Sequence, residues 1–94
     1  DLQAVERDFA FIVDNKVEAS DLVIAATGAD KQLIQDVRVF DEFVGKEFGN
    51  EKKSIALTVR LQPAEKTLTD AEIEDLSKKV IEKVENATGG VLRT

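Results

Sequence analysis

Cysteine and histidine are both absent from the 94 residues of this chain, as are methionine, tryptophan and tyrosine. The first two absences exclude disulfide frameworks, zinc ribbons, nucleophilic catalysis by cysteine or histidine, and imidazole proton relays. A carboxylate-only Mg²⁺ or Ca²⁺ site stays open. Its nearest candidate, Asp70, Glu72, Glu74 and Asp75, lacks the Asp/Asn–Gly spacing of a calcium-binding loop and reads as a solvated helix face. No Walker phosphate loop is present: Gly45 and Gly49 are followed neither directly by a lysine–serine pair nor by a helix. The longest apolar runs, Phe9 to Val13 and Leu22 to Ala26, fall far short of the ~20 residues that cross a bilayer. No basic segment followed by an apolar one opens the chain, so no signal peptide is read. A start at Asp1 without methionine suggests a piece, expected to be C-terminal, of a longer chain.

What is present is ordinary for one small folded domain. Apolar residues make up 43% and charged residues 34%, too apolar a mixture for a disordered tail. The formal net charge of −6 argues against non-specific nucleic-acid binding, which depends on neutralising phosphates. The charge is uneven, however. Residues 1–37 carry 3 basic and 8 acidic side chains, residues 38–66 carry 6 and 5, and residues 67–94 carry 4 and 6. Only the middle third is suited to facing phosphates.

Hydrophobic periodicity predicts six elements. Val5 to Val13 alternates as a strand, with Phe9, Phe11 and Val13 on one face and Asp8, Ala10 and Ile12 on the other. Asp14-Asn15 is turn chemistry, and a short helix from about Glu18 to Thr27 follows, ended by a left-handed Gly28. Leu33 to Phe43 reads as a second strand, with Val37, Val39 and Asp41 opposed to Arg38, Phe40 and Glu42. Gly45 to Asn50 is a loop, and Lys53 to Leu61 a third strand in which Ile55, Leu57, Val59 and Leu61 point inward. Pro63 falls just past its end, where a missing backbone donor costs little.

Thr69-Asp70-Ala71-Glu72 is a capping box that opens a second helix, with Ile73, Leu76, Val80 and Val84 as its apolar stripe. Gly89-Gly90 ends it, and Val91 to Arg93 suffices for a short last strand. The order β-α-β-β-α-β predicts an α+β, ferredoxin-like domain: a four-stranded antiparallel sheet with two helices on one face and the first and third strands inside.

Such a fold leaves one sheet face open, the natural platform for a ligand. The outward set is expected to be Ala10 and Ile12, Arg38 and Phe40, then Ala56, Thr58 and Arg60, with Lys46, Lys52 and Lys53 near the loop between the second and third strands. Phe40 suits base stacking, and Arg38 and Arg60 suit phosphate pairing or flat stacking on a ring. Each has a plainer reading. Phe40 can pack under a loop or neighbouring domain, the arginines can pair with acids on adjacent strands, and the lysines can simply solvate a loop edge. Phe48 can staple its loop to the core, and Asp41 can set the Gly45 turn through loop N–H groups.

Five short patterns occur in order along nearly the whole chain: Val5, Arg7-Asp8-Phe9-Ala10-Phe11; Val39-Phe40-Asp41 with Phe43 and Gly45; Lys52-Lys53-Ser54-Ile55-Ala56; Lys66-Thr67-Leu68-Thr69-Asp70 with Glu72; and Leu92-Arg93. Together they resemble the ferredoxin-fold anticodon-binding domain, the module that closes the β subunit of bacterial phenylalanyl-tRNA synthetase and the single-chain organellar enzyme. Departures fall near the open face. Phe43 replaces the usual tyrosine, Val44 stands where a basic residue is common, Lys66 replaces arginine, and Thr58 sits where an arginine often appears.

The resemblance implies a cytoplasmic, non-membrane module that contacts the anticodon stem-loop of phenylalanine tRNA, and the reading of the open face puts that contact on Arg38, Phe40, Lys46, Lys52, Lys53, Ala56, Thr58 and Arg60. It implies no catalytic residue and no cofactor in this chain. ATP and Mg²⁺ belong to the parent enzyme, and the partners are other domains of the β subunit and the catalytic α subunit. Two other readings stand beside it: a packing module whose open face docks on a neighbouring domain, and a small-molecule regulatory domain built by pairing edge strands.

Overall fold

The computed structural model describes residues 2–49 and 51–93; Asn50, the last residue of the expected loop, lies outside them. Strand β1 (Val5–Asp14) leads through a turn to helix α1 (Ala19–Thr27), then strand β2 (Ile34–Val44), a 3-10 turn (Lys46–Phe48) and strand β3 (Lys52–Leu61). Helix α2 (Asp70–Thr88) and a two-residue strand β4 (Val91–Leu92) complete the chain. The strands form one antiparallel sheet in the order β2-β3-β1-β4. The first and third strands are thus inside, as the connectivity predicts.

The core lies between the sheet and the two helices. Phe11 and Val13 of β1, Ile34 and Val37 of β2, and Ile55, Leu57, Val59 and Leu61 of β3 are buried against Leu22 and Ala26 of α1 and the α2 stripe Ile73, Leu76, Val80 and Val84. Each large side chain removed from water contributes roughly 1.5–3 kcal/mol. Period two on β3 and period 3.6 on α2 select these residues, so this part of the packing follows from pattern alone.

The N-terminus of α2 is built as expected. Thr69 Oγ1 accepts from the Glu72 amide at 3.1 Å, and the Glu72 carboxylate accepts from the Thr69 amide at 3.0 Å. That backbone hydrogen bond and then the Thr69 side chain hold the Glu72 carboxyl below the usual glutamate range, with a lesser contribution from the Lys66 ammonium and with desolvation opposing them. A carboxyl whose folded-state pKa is depressed stabilises the fold above its unfolded value, and that stability is lost as pH falls through the folded one. Thr69→Ala removes the side-chain acceptor of the Glu72 amide, a helix cap whose loss should lower stability by about 1 kcal/mol near neutral pH. The deficit should shrink in acid, where Glu72 is protonated in both states; urea melts at the two pH values measure it.

Helix α1 ends differently from the expectation. Gly28 has φ −73°, a right-handed conformation, and its amide donates to the Ile24 carbonyl at 3.1 Å. The turn simply continues, because the Ala29 amide donates to Ala26 and the Asp30 carboxylate then accepts from the amides of Gln32 and Leu33. No left-handed cap is needed. Gly89, at φ +74°, is the residue that ends a helix in that way. Gly90 beside it is a packing glycine: a Cβ there would meet Val13 Cγ1 at 2.7 Å, where β4 closes on β1.

Candidate nucleic-acid interface

Register defines the helix-free face. Across β1, β3 and β2 the side chains align as Glu6–Arg60–Asp36, Asp8–Thr58–Arg38, Ala10–Ala56–Asp41 and Ile12–Ser54–Phe43, with Asp14 opposite Lys52 at one end. The small pair Ala10 and Ala56 occupies the centre, both half-buried. Polar and charged groups occupy the Glu6–Arg60 end, and Ile12, Phe43 and Val91 lie toward the other, short of the Asp14–Lys52 pair.

The second strand corrects the expected alternation. Its register shifts twice, between Ile34 and Asp36 and between Val39 and Asp41, so Gln35 and Phe40 have no partners across the sheet. An inserted residue reverses every side chain beyond it. Asp41 and Phe43 therefore share the open face, while Glu42 turns to the helix side opposite Ile55. Phe40 is 56% exposed at the bulge, whereas Phe43 is 49% exposed and in register with Ser54. The spacing of three between Ile34 and Val37 was a legible sign of the first bulge. Nothing in the residue types marks the second.

That second bulge explains the partner of Lys53. Odd-numbered residues of β3 face the helices, so Lys53 is only 9% exposed and lies beside Glu42, with Nζ 3.4 Å from its carboxylate. Lys53 is thus on the opposite side of the sheet from Ala56, Thr58 and Arg60, whose faces the pattern placed correctly. Lys52 is exposed at the end of the open face, and Lys46 is exposed in the 3-10 turn. Asp41 does not set the Gly45 turn; its carboxylate accepts from the adjacent Glu42 amide at 2.9 Å.

The two central arginines are already engaged. Arg60 Nε donates to Gln35 at 2.7 Å, and its terminal nitrogen lies 3.3 Å from the Glu6 carboxylate. Arg38 sits 3.0 Å from Asp36 and 3.9 Å from the same Glu6 oxygen. Thr58 donates its hydroxyl proton to Asp8 at 2.8 Å. Glu6 is therefore shared by both guanidinium groups, in solvent-exposed pairs of a kind worth ~0–1 kcal/mol each. Weak pairs of this sort orient the arginines without locking them. Among the described residues no three acidic side chains converge as a metal ion would require, and no helix is long and apolar enough to cross a membrane.

At the other end of the face the loop does not run free. Phe48 lies under the Arg93 guanidinium, 4.8 Å from ring centroid to charge. Its staple is thus to the C-terminal segment, not to the core between sheet and helices.

A split βαβ sandwich with one sheet face packed by helices and the other presenting small residues, rings and arginines is a ferredoxin-like domain by architecture. Residues 1–93 match the family model described as the ferredoxin-fold anticodon binding domain. Similar chains include the phenylalanine–tRNA ligase beta subunit of Ruegeria pomeroyi, 67% identical over 93 residues, covering 99% of this chain and 12% of that protein. The beta subunit of Cereibacter sphaeroides is 63% identical over 97 residues, with 99% and 12% covered, and that of Mesorhizobium japonicum 60% over 91, with 97% and 11%. This chain belongs to the ferredoxin-fold anticodon binding domain family. It spans an eighth or less of the length of these relatives.

Proposed function

We propose that this domain is the non-catalytic anticodon-contacting module of a phenylalanine–tRNA ligase beta subunit, and that it receives the anticodon loop on its helix-free face. The supporting observation is the small-residue Ala10–Ala56 centre of that face, bordered by the Phe43 ring and by exposed guanidinium groups, in a chain of this family. An unpaired base lies on the small residues and against a Phe ring, while Arg38, Arg60, Lys46 and Lys52 attract the sugar–phosphate chain. Lys53 takes part only indirectly, by holding Glu42 and the end of β2. Amino-acid activation, with its ATP and Mg²⁺, falls to other domains and to the catalytic alpha subunit of such a ligase.

Electrostatics set the affinity. Acidic side chains alternate with the basic ones on the face, so binding by the isolated domain is weak and falls with added salt. Glu6 competes with phosphate for both arginines. Titration with an RNA hairpin carrying the phenylalanine anticodon loop, read by fluorescence anisotropy, tests the reading: Glu6→Gln should tighten binding by about two- to fivefold, the equivalent of freeing one exposed ion pair. Absence of binding by wild type and Glu6→Gln alike would defeat it.

The contiguous exposure of Phe40, Phe43 and Val44 along β2 favours a second reading, docking of that edge on another domain of a longer chain. Hydrogen exchange protection of β2 in the longer chain without RNA would separate the two.

A further inference from the structure

We infer that Arg93, held over the ring of Phe48, is a further phosphate-contacting arginine of the open face, on the β4 side and away from Arg38 and Arg60. The inference rests on the RNA-binding reading of that face. Its placement follows from the backbone. Leu92 packs toward the core opposite Phe11, and the next residue, Arg93, donates its amide to the Ala10 carbonyl at 2.7 Å. Alternation then sends the Arg93 side chain to the side of Ala10, the helix-free side. Its guanidinium nonetheless reaches Phe48 from the β2–β3 loop. That loop therefore folds back over the same face, at the end where Ser54 is only 1% exposed.

Availability distinguishes Arg93 from the other arginines of this face. Arg38 and Arg60 spend their donors on Asp36, Glu6 and Gln35. Among the described residues Arg93 has no carboxylate within ion-pair distance, and it is exposed. A guanidinium that interacts with an aromatic ring through its charge leaves N–H donors free to pair with a phosphate. Stacking also limits the side-chain freedom that binding would otherwise have to remove. Phe48 thus acts as a positioning residue, and Arg93 as the contact. The ligand class is a single-stranded RNA phosphate whose base rests over Ala10 and Ala56.

The test compares Arg93→Ala, Arg93→Lys and Phe48→Ala against wild type, with the anticodon-loop hairpin as probe over a range of salt concentrations. Arg93→Ala should weaken binding about three- to tenfold and reduce the steepness of log K against log salt by ~0.7, the value for one single-strand phosphate contact. Arg93→Lys should keep the salt slope and recover part of the affinity, because charge remains while the planar fork is lost. Phe48→Ala should weaken binding two- to threefold with the slope unchanged. An Arg93→Ala protein with wild-type affinity and slope would overturn the inference; if Glu6→Gln still tightened binding, the broader reading would survive. No hairpin binding by wild type would overturn both.

Discussion

Phenylalanine 11 replaced by alanine should bring this domain close to global unfolding. Phe11 is fully buried on the inner strand β1, paired with Ile55 of β3 on one side and Leu92 of β4 on the other. Truncating a buried Phe costs ~3–5 kcal/mol, from lost burial plus the cavity left behind. The total stability of a domain is only about 5–15 kcal/mol. Urea denaturation followed by circular dichroism should show the midpoint falling by roughly 2 M or more, for a slope of about 1–2 kcal/mol per M. A loss below about 1 kcal/mol would mean that the packed centre of the molecule lies elsewhere. Substitution of Ile24, which is exposed on α1, should leave the midpoint nearly unchanged by contrast.

The largest expected effect on recognition is at Phe43. The bulge at Phe40 places Phe43 in register with Ser54 and Ile12, in a cross-strand row on the open face. Base–aromatic stacking is worth ~1–3 kcal/mol, so Phe43→Ala should weaken hairpin binding by roughly 5- to 100-fold. Phe40→Ala should do less, two- to threefold, because Phe40 is the inserted residue without a partner across the sheet. Equal losses in both variants, or a greater loss at Phe40, would contradict the assignment. Unchanged melting curves for both are expected, since neither ring belongs to the buried core. The salt slope should also stay constant, which separates stacking from phosphate contact.

Much of the architecture was legible because it depends on short-range regularities. Ile55, Leu57, Val59 and Leu61 alternate without interruption, and the structure buries all four. Thr69 and Glu72 form the reciprocal cap that their spacing of three demands. The same regularities locate Ala10, Ala56, Thr58 and Arg60 on the helix-free face. The candidate site was only partly legible. Lys53 appeared to be a loop-edge cation, but strand parity carries it to the helix side. Phe40 was expected to alternate with Asp41 and share a face with Arg38, yet an unmarked bulge leaves it without a cross-strand partner and puts Phe43 in register on the open face. Arg93 and Phe48 are 45 positions apart, and no local pattern links them.

From the chain of residues alone came the six elements, their order and the inner position of β1 and β3, since period, capping and turn chemistry act within a few residues of themselves; the family came from the resemblance of five short patterns. Only the tertiary structure decided which side chains of β2 share the helix-free face. Strand register depends on how β2 accommodates two extra residues against β3, and pairing of side chains such as Arg38, Arg60 and Glu6 depends on that register. Those choices are settled by the packing of distant strands against one another, which sequence spacing does not encode.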